Sequence, residues 1–109
     1  VIMATIQPFK LIYAAQVKDH LKFIERKYHS LIRETIESQL CFEPDVETRN
    51  RKPIEPPTTV EADWELRFGP NNRFRAFYTI NISQREVDIV AIGMKQRNKL
   101  FIGGEEVEL

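Results

Sequence analysis

The sequence predicts an α+β domain in the order β-α-α-β-β-β, with an N-terminal helical hairpin packed on one face of a mostly antiparallel, three- to four-stranded sheet. Three observations carry this. Apolar residues recur at helical spacing between residues 14 and 40, they alternate at period two between 64 and 82, and they occupy both faces from Val87 to Met94. A chain of 109 residues suits one core. Its 42% hydrophobic content against 29% charged is that of a folded globule, so residues 1–109 read as one domain with an acidic tail at 103–109.

Each element has its own warrant. Residues 5–13 (TIQPFKLIY) mix β-branched and aromatic side chains, and Pro8 removes a ladder donor, which predicts an edge strand. From Ala14, Val17, Leu21, Ile24 and Tyr28 share one helical face, with Lys18, Lys22, Glu25, Arg26 and Lys27 opposite. A second helix is expected through Leu31, Ile32, Thr35, Ile36 and Leu40, with Ser30 as N-cap and Pro44 as its stop. Residues 43–63 carry four prolines and the cluster Arg49-Asn50-Arg51-Lys52, and read as a long loop. Trp64, Leu66 and Phe68 then alternate with Glu65 and Arg67. Gly69-Pro70-Asn71-Asn72 supplies a turn, and Phe74, Ala76, Tyr78, Ile80 and Ile82 complete a hairpin. The run VDIVAIGMK predicts a central strand; residues 96–101 read as a short helix or loop, and Gly103-Gly104 as a hinge that unhooks the tail.

Charge and cysteine usage narrow the function. Sixteen basic and sixteen acidic residues do not make a generic nucleic-acid binder, yet residues 64–101 hold seven cations against three acids, and the tail holds Glu105, Glu106 and Glu108. One cysteine and two histidines provide neither a disulfide nor a four-ligand zinc set, which fits a reducing cytoplasm. No apolar run reaches the ~18–20 residues of a membrane span, and no secretory signal pattern opens the chain; Val1 and Ile2, ahead of Met3, are given no functional weight. No phosphate loop or paired metal carboxylates are found, so no cofactor is expected.

Candidate chemistry lies on the hairpin face opposite Trp64, Leu66, Phe74, Ala76 and Tyr78. Alternation assigns Glu65, Arg67, Arg73 and Arg75 to it, and Lys95 and Arg97 end the adjacent strand. Such a set can hold phosphates, although charged residues also keep exposed strand faces soluble. His29 beside Ser30 lacks a nucleophile elbow and reads as a cap, His20 as helix surface, Cys41 as a small buried hydrophobe, and Trp64 as core.

The ordered strings WELRFGPNNRFRAFYTI and VDIVAIGMKQRNKLF, preceded by a helical hairpin and a loop ending RKPIEP, resemble the RelE/ParE toxin superfamily of type II toxin–antitoxin systems. The resemblance implies two N-terminal helices on an antiparallel sheet. In its RelE-like branch it also implies a metal-independent, ribosome-dependent mRNA endonuclease that activates a ribose 2′-hydroxyl against the neighbouring phosphate and is silenced by a cognate antitoxin. Arg75 then matches the arginine at the scissile phosphate, Arg67 a supporting basic position, and Lys95 a position where arginine is common. Glu65 is a candidate proton acceptor, as is Glu55 in the preceding loop. Arg73, Arg97, Lys99, Arg51 and Lys52 are candidate RNA contacts. Two departures stand out: Glu65 replaces a favoured lysine, and Phe101 a tyrosine.

Two other readings stay open: a non-enzymatic ParE-like gyrase inhibitor, and a toxin fold that only binds an antitoxin. The antitoxin is expected to present an acidic and apolar segment. Contact with the chain's own basic face is also open to the tail at 103–109.

Overall fold

The computed structural model describes residues 7–55 and 60–108. Thr5 and Ile6 of the expected first strand, Pro56 and Pro57 of the loop, and the terminal Leu109 lie outside the described residues. The elements are β1 (Lys10–Tyr13), α1 (Val17–Leu21), α2 (His29–Leu40), β2 (Arg51–Pro53), β3 (Trp64–Phe68), β4 (Phe74–Asn81), β5 (Glu86–Gln96), β6 (Lys99–Ile102) and β7 (Glu105–Val107). The fold is α+β. One seven-stranded sheet runs β2-β3-β4-β5-β6-β7, antiparallel throughout, while β1 joins β5 in parallel.

The expected helical hairpin does not form. α1 stops after five residues, Glu25 is extended (ψ 134), and a 3₁₀ turn at Arg26–Tyr28 runs straight into the twelve-residue α2. The cause is local. Nε2 of His29 lies 2.9 Å from both the Leu21 and Ile24 carbonyls, so its N–H satisfies the acceptors that a continued helix would have used. Val17 and Ile24 are still buried, which satisfies the apolar spacing without a second full helix. Ser30 is not the N-cap: α2 begins one residue earlier and no side chain caps it.

The strand count is also higher than expected. Residues 96–101 form a tight turn, with Arg97 and Asn98 at φ 49° and 65°, followed by β6, because two successive left-handed residues match the twist of a hairpin. Gly103 and Gly104 (φ 61° and 82°) repeat the device and fold the tail back as β7 instead of unhooking it. β2 adds a short strand within the expected loop.

β5 organises the sheet. Its first half pairs with β1 and its last four residues with β6, which leaves the edge at residues 90–92 uncovered by strand. Side chains from the N-cap and last turn of α1 close this gap: Gln16 Nε2 donates to the Val90 carbonyl at 3.0 Å, and the Ile92 N–H donates to His20 Nδ1 at 3.2 Å. His20 is therefore part of the sheet's hydrogen bonding and not a solvated surface residue.

Two apolar layers result. On the helix side, Ile32, Ile36 and Leu40, one stripe of α2, meet Leu66, Phe74, Tyr78 and Ile89. Tyr78 is fully buried, stacks on Trp64 at 6.1 Å and donates its hydroxyl to the Pro44 carbonyl at 2.7 Å. Burial pushes its phenol well above the ordinary tyrosine value, so it stays a donor. On the opposite side a smaller cluster of Phe77, Ala91 and Val60 is flanked by Leu100, Ile102 and Val107.

Tyr78→Phe is expected to destabilise the chain by about 1–2 kcal/mol in urea unfolding, because it strands the buried Pro44 carbonyl. Burial, opposed by Asp19, holds the His20 imidazole below its ordinary value of 6.5. The unfolded chain therefore takes up the proton first. The contribution of His20 to stability is complete above pH 6.5 and falls as the pH drops through the window below it. His20→Gln should reduce this acid sensitivity, read as a smaller shift in urea midpoint between pH 7.5 and 5.5.

Candidate functional site

Strands β3 and β4 pair so that Arg67 stands opposite Arg75 and Glu65 opposite Phe77. Cross-strand neighbours share a face, which directs all three charged residues away from the helices. Two guanidiniums directly opposed would repel. Glu65 resolves this: its Oε1 accepts Nε of Arg75 at 2.8 Å and Nε of Arg67 at 2.9 Å. The side chains of Glu65 and Arg75 are each 8% exposed, whereas that of Arg67 is 44% exposed.

Arg75 is held from a second direction. The turn before β4 puts Asn71 and Asn72 at φ 56° and 52°, and Nη1 of Arg75 donates to the Asn72 carbonyl and, at 3.3 Å, to that of Phe74. Burial lowers the Arg75 guanidinium from its ordinary value, Glu65 raises it, and Arg67 lowers it further. An arginine keeps its charge under such opposed shifts.

Glu65, Arg67 and Arg75 line a cavity of about 530 Å³, and Lys95 enters it from the end of β5. The four residues that the sequence singles out for catalysis thus meet in one place. Preorganised cations around such a cavity suit an oxyanion or phosphate group. Glu55, the alternative carboxylate, is exposed and does not line it. Among the described residues, no cluster of three or more His, Cys, Asp or Glu side chains is placed to hold a metal ion.

The other candidate cations divide differently. Arg73 does not share the face of Arg75. Its backbone is helical (φ −65°, ψ −32°), so the strand alternation starts only at Phe74, and its guanidinium lies 5.3 Å from the Tyr28 ring centre and 5.7 Å from that of Phe74. With Lys95, Arg97, Lys99 and Phe101 it lines a separate rim cavity of about 690 Å³ around the β5–β6 turn. Lys95 and Lys99 line both cavities.

Arg51 is not placed to contact RNA. It is buried at 7% exposure and pairs with Leu66 in register; its Nη1 donates to the Gln39 carbonyl at 2.6 Å, its Nε to Val46 at 3.1 Å, and its Nη2 faces Glu43 at 3.7 Å. It ties the end of α2 to β2. Lys52 stands opposite Glu65 in register, but its ammonium pairs with Glu47 at 3.8 Å.

Comparison of the chain with family models, with curated proteins and with solved structures finds no match in any of the three.

A second cleft, about 550 Å³, lies between α1, α2 and the end of β1. It is mostly apolar, with Val17, Leu21 and Ile32, and the Nε2 of its only histidine, His29, is held by the two carbonyls described above. Cys41 is half-buried, and burial raises its thiol. Neither feature competes with the cationic cavity for charge-stabilising chemistry. The contact between tail and basic face that the sequence leaves open takes the form of β7, since the turn at Gly103-Gly104 brings Glu106, Val107 and Glu108 into the lining.

Glu65→Gln removes the charge that reconciles Arg67 with the buried Arg75. The expected cost is about 3 kcal/mol, read from chemical denaturation, as for breaking a buried ion pair.

Proposed function

We propose that this chain is a toxin of the RelE-like kind: a metal-independent endonuclease that cuts mRNA on the ribosome and so blocks translation. The observation that supports this reading best is the convergence of Arg67, Arg75 and Lys95 on one cavity, with both guanidiniums held by Glu65. The chemistry asks for such an arrangement. A ribose 2′-oxygen attacks the adjacent phosphorus, the O2′–P bond forms, the P–O5′ bond breaks, and negative charge builds on the non-bridging oxygens and the departing 5′-oxygen. Cations fixed before the reaction stabilise that charge without reorganising.

Each residue then has a role. Arg75, anchored by the Glu65 carboxylate and by the Asn72 and Phe74 carbonyls, takes the scissile phosphate. Arg67, more open, supports the same group, and Lys95 meets the leaving side as a point charge. Glu65 positions the guanidiniums and, of the cavity's carboxylates the one beside both arginines, accepts the 2′-hydroxyl proton. The rim cations Arg73, Arg97 and Lys99 contact the flanking backbone. The partner that silences the chain is a cognate antitoxin with an acidic, apolar segment, and the place of action is the cytoplasm.

Arg75 is buried, so its loss confounds chemistry with folding. Arg67→Ala is the cleaner probe. In bacteria minutes after induction, wild type should halt amino-acid incorporation, and Arg67→Ala should cleave about 10²–10³-fold more slowly and spare growth. Loss of DNA synthesis with translation intact would point to gyrase inhibition, and no effect on either would leave a chain that only binds an antitoxin.

A further inference from the structure

The C-terminal hairpin ends on the cationic cavity. β7 pairs with β6 through Ile102–Glu105, Phe101–Glu106 and Leu100–Val107, and stands at the edge of the sheet. It lies four strands from β3. At ~4.8 Å per strand a flat sheet would separate them by nearly 20 Å. Instead Glu106, Val107 and Glu108 line the same cavity as Glu65, Arg67 and Arg75. The ladder between β4 and β5 carries a bulge, where Phe77 pairs with Ala91 but Tyr78 with Ile89, which leaves Val90 as an extra residue and bends β5.

Charge and anchoring suit a cover. Val107 is half-buried against the Phe77–Ala91 cluster, and Lys99 Nζ lies 4.0 Å from Glu106 Oε2. Two carboxylates of the tail thus border a space that also holds Arg67, Arg75, Lys95 and Lys99, with Glu65 between the arginines. The attachment is slight: β7 has three residues, Glu105 and Glu106 are exposed, and Val107 is its one apolar anchor. Short edge strands of this kind open locally at low cost while the core stays closed.

We propose that β7 with Glu108 is an autoinhibitory cover, whose carboxylates stand where RNA phosphates would bind and are displaced when RNA enters. This rests on reading the cavity as a phosphate site. Incoming RNA exchanges carboxylates for phosphates, so the resting chain neutralises fewer phosphates net than a chain without the tail charges. Its affinity should accordingly depend less steeply on salt.

The test is binding of a fluorescently labelled single-stranded RNA, followed by anisotropy over a salt series, for wild type, Glu106→Gln/Glu108→Gln, and Arg67→Ala in both backgrounds. The carboxamides preserve side-chain shape and leave β7 able to pair. The double variant should bind about fivefold tighter, the gain expected from removing two exposed carboxylates that border the cations, with a steeper salt dependence, and Arg67→Ala should abolish the gain. A chain ending at Gly104, with its fold checked by circular dichroism, should bind at least as tightly as the double variant. Equal affinity and slope for wild type and the double variant, with Arg67→Ala weakening both, would overturn the cover and leave the phosphate site standing. Absence of binding by every chain would overturn both.

Discussion

The pairing of β4 with β5 is the constraint from which the rest of the molecule follows, because one ladder sets both apolar layers. Tyr78, Val87 and Ile89 face the helices, while Phe77 and Ala91 face the other way. The bulge at Val90 changes the register partway along, and bulges bend strands. Before it, β5 accepts β1; beyond it, β5 accepts β6. Neither strand covers the interval, and the backbone groups there would be orphaned without Gln16 and His20. The short α1 is thus placed by what β5 needs, and α2 follows once His29 has closed the end of α1.

The charged site depends on that same sheet. β3 docks on β4 with Arg67 opposite Arg75, an arrangement that repels unless a counter-charge lies between. A single carboxylate oxygen meets both Nε atoms, so the two guanidiniums are oriented as a unit. Such a cluster is a poor source of net stability, since desolvation offsets most of the attraction. What it provides is geometry: cations whose positions are settled before any anion arrives. The buried arginine is the fixed point and the exposed one its adjustable neighbour.

The division of cations into two cavities gives the surface a direction. The Glu65 cavity contains acids as well as cations and is bordered by the tail; the rim cavity is lined by Arg73, Lys95, Arg97 and Lys99 with no carboxylate. Lys95 and Lys99 belong to both, so the two cavities share one continuous cationic edge. Arg51, although it lies in the most basic stretch of the sequence, is spent on three contacts that join α2 to the sheet.

Periodicity alone determined the α+β class, the hairpin at residues 64–82, the central strand, the stripe of Ile32, Ile36 and Leu40, and the placing of Glu65, Arg67 and Arg75 on one face. These are local properties: a period of two or 3.6 fixes which side chains share a side. It failed where groups outside the repeating pattern compete for the same backbone atoms or break the pleat. Residues 14–28 have helical spacing, but His29 claims the carbonyls at Leu21 and Ile24. Arg73 has strand parity, but the turn before it breaks the pleat. Only the tertiary structure decided which cations meet, that Arg51 is a tie within the core, and that the acidic tail returns to the cationic cavity. Those outcomes depend on long-range register, which no short window of sequence encodes.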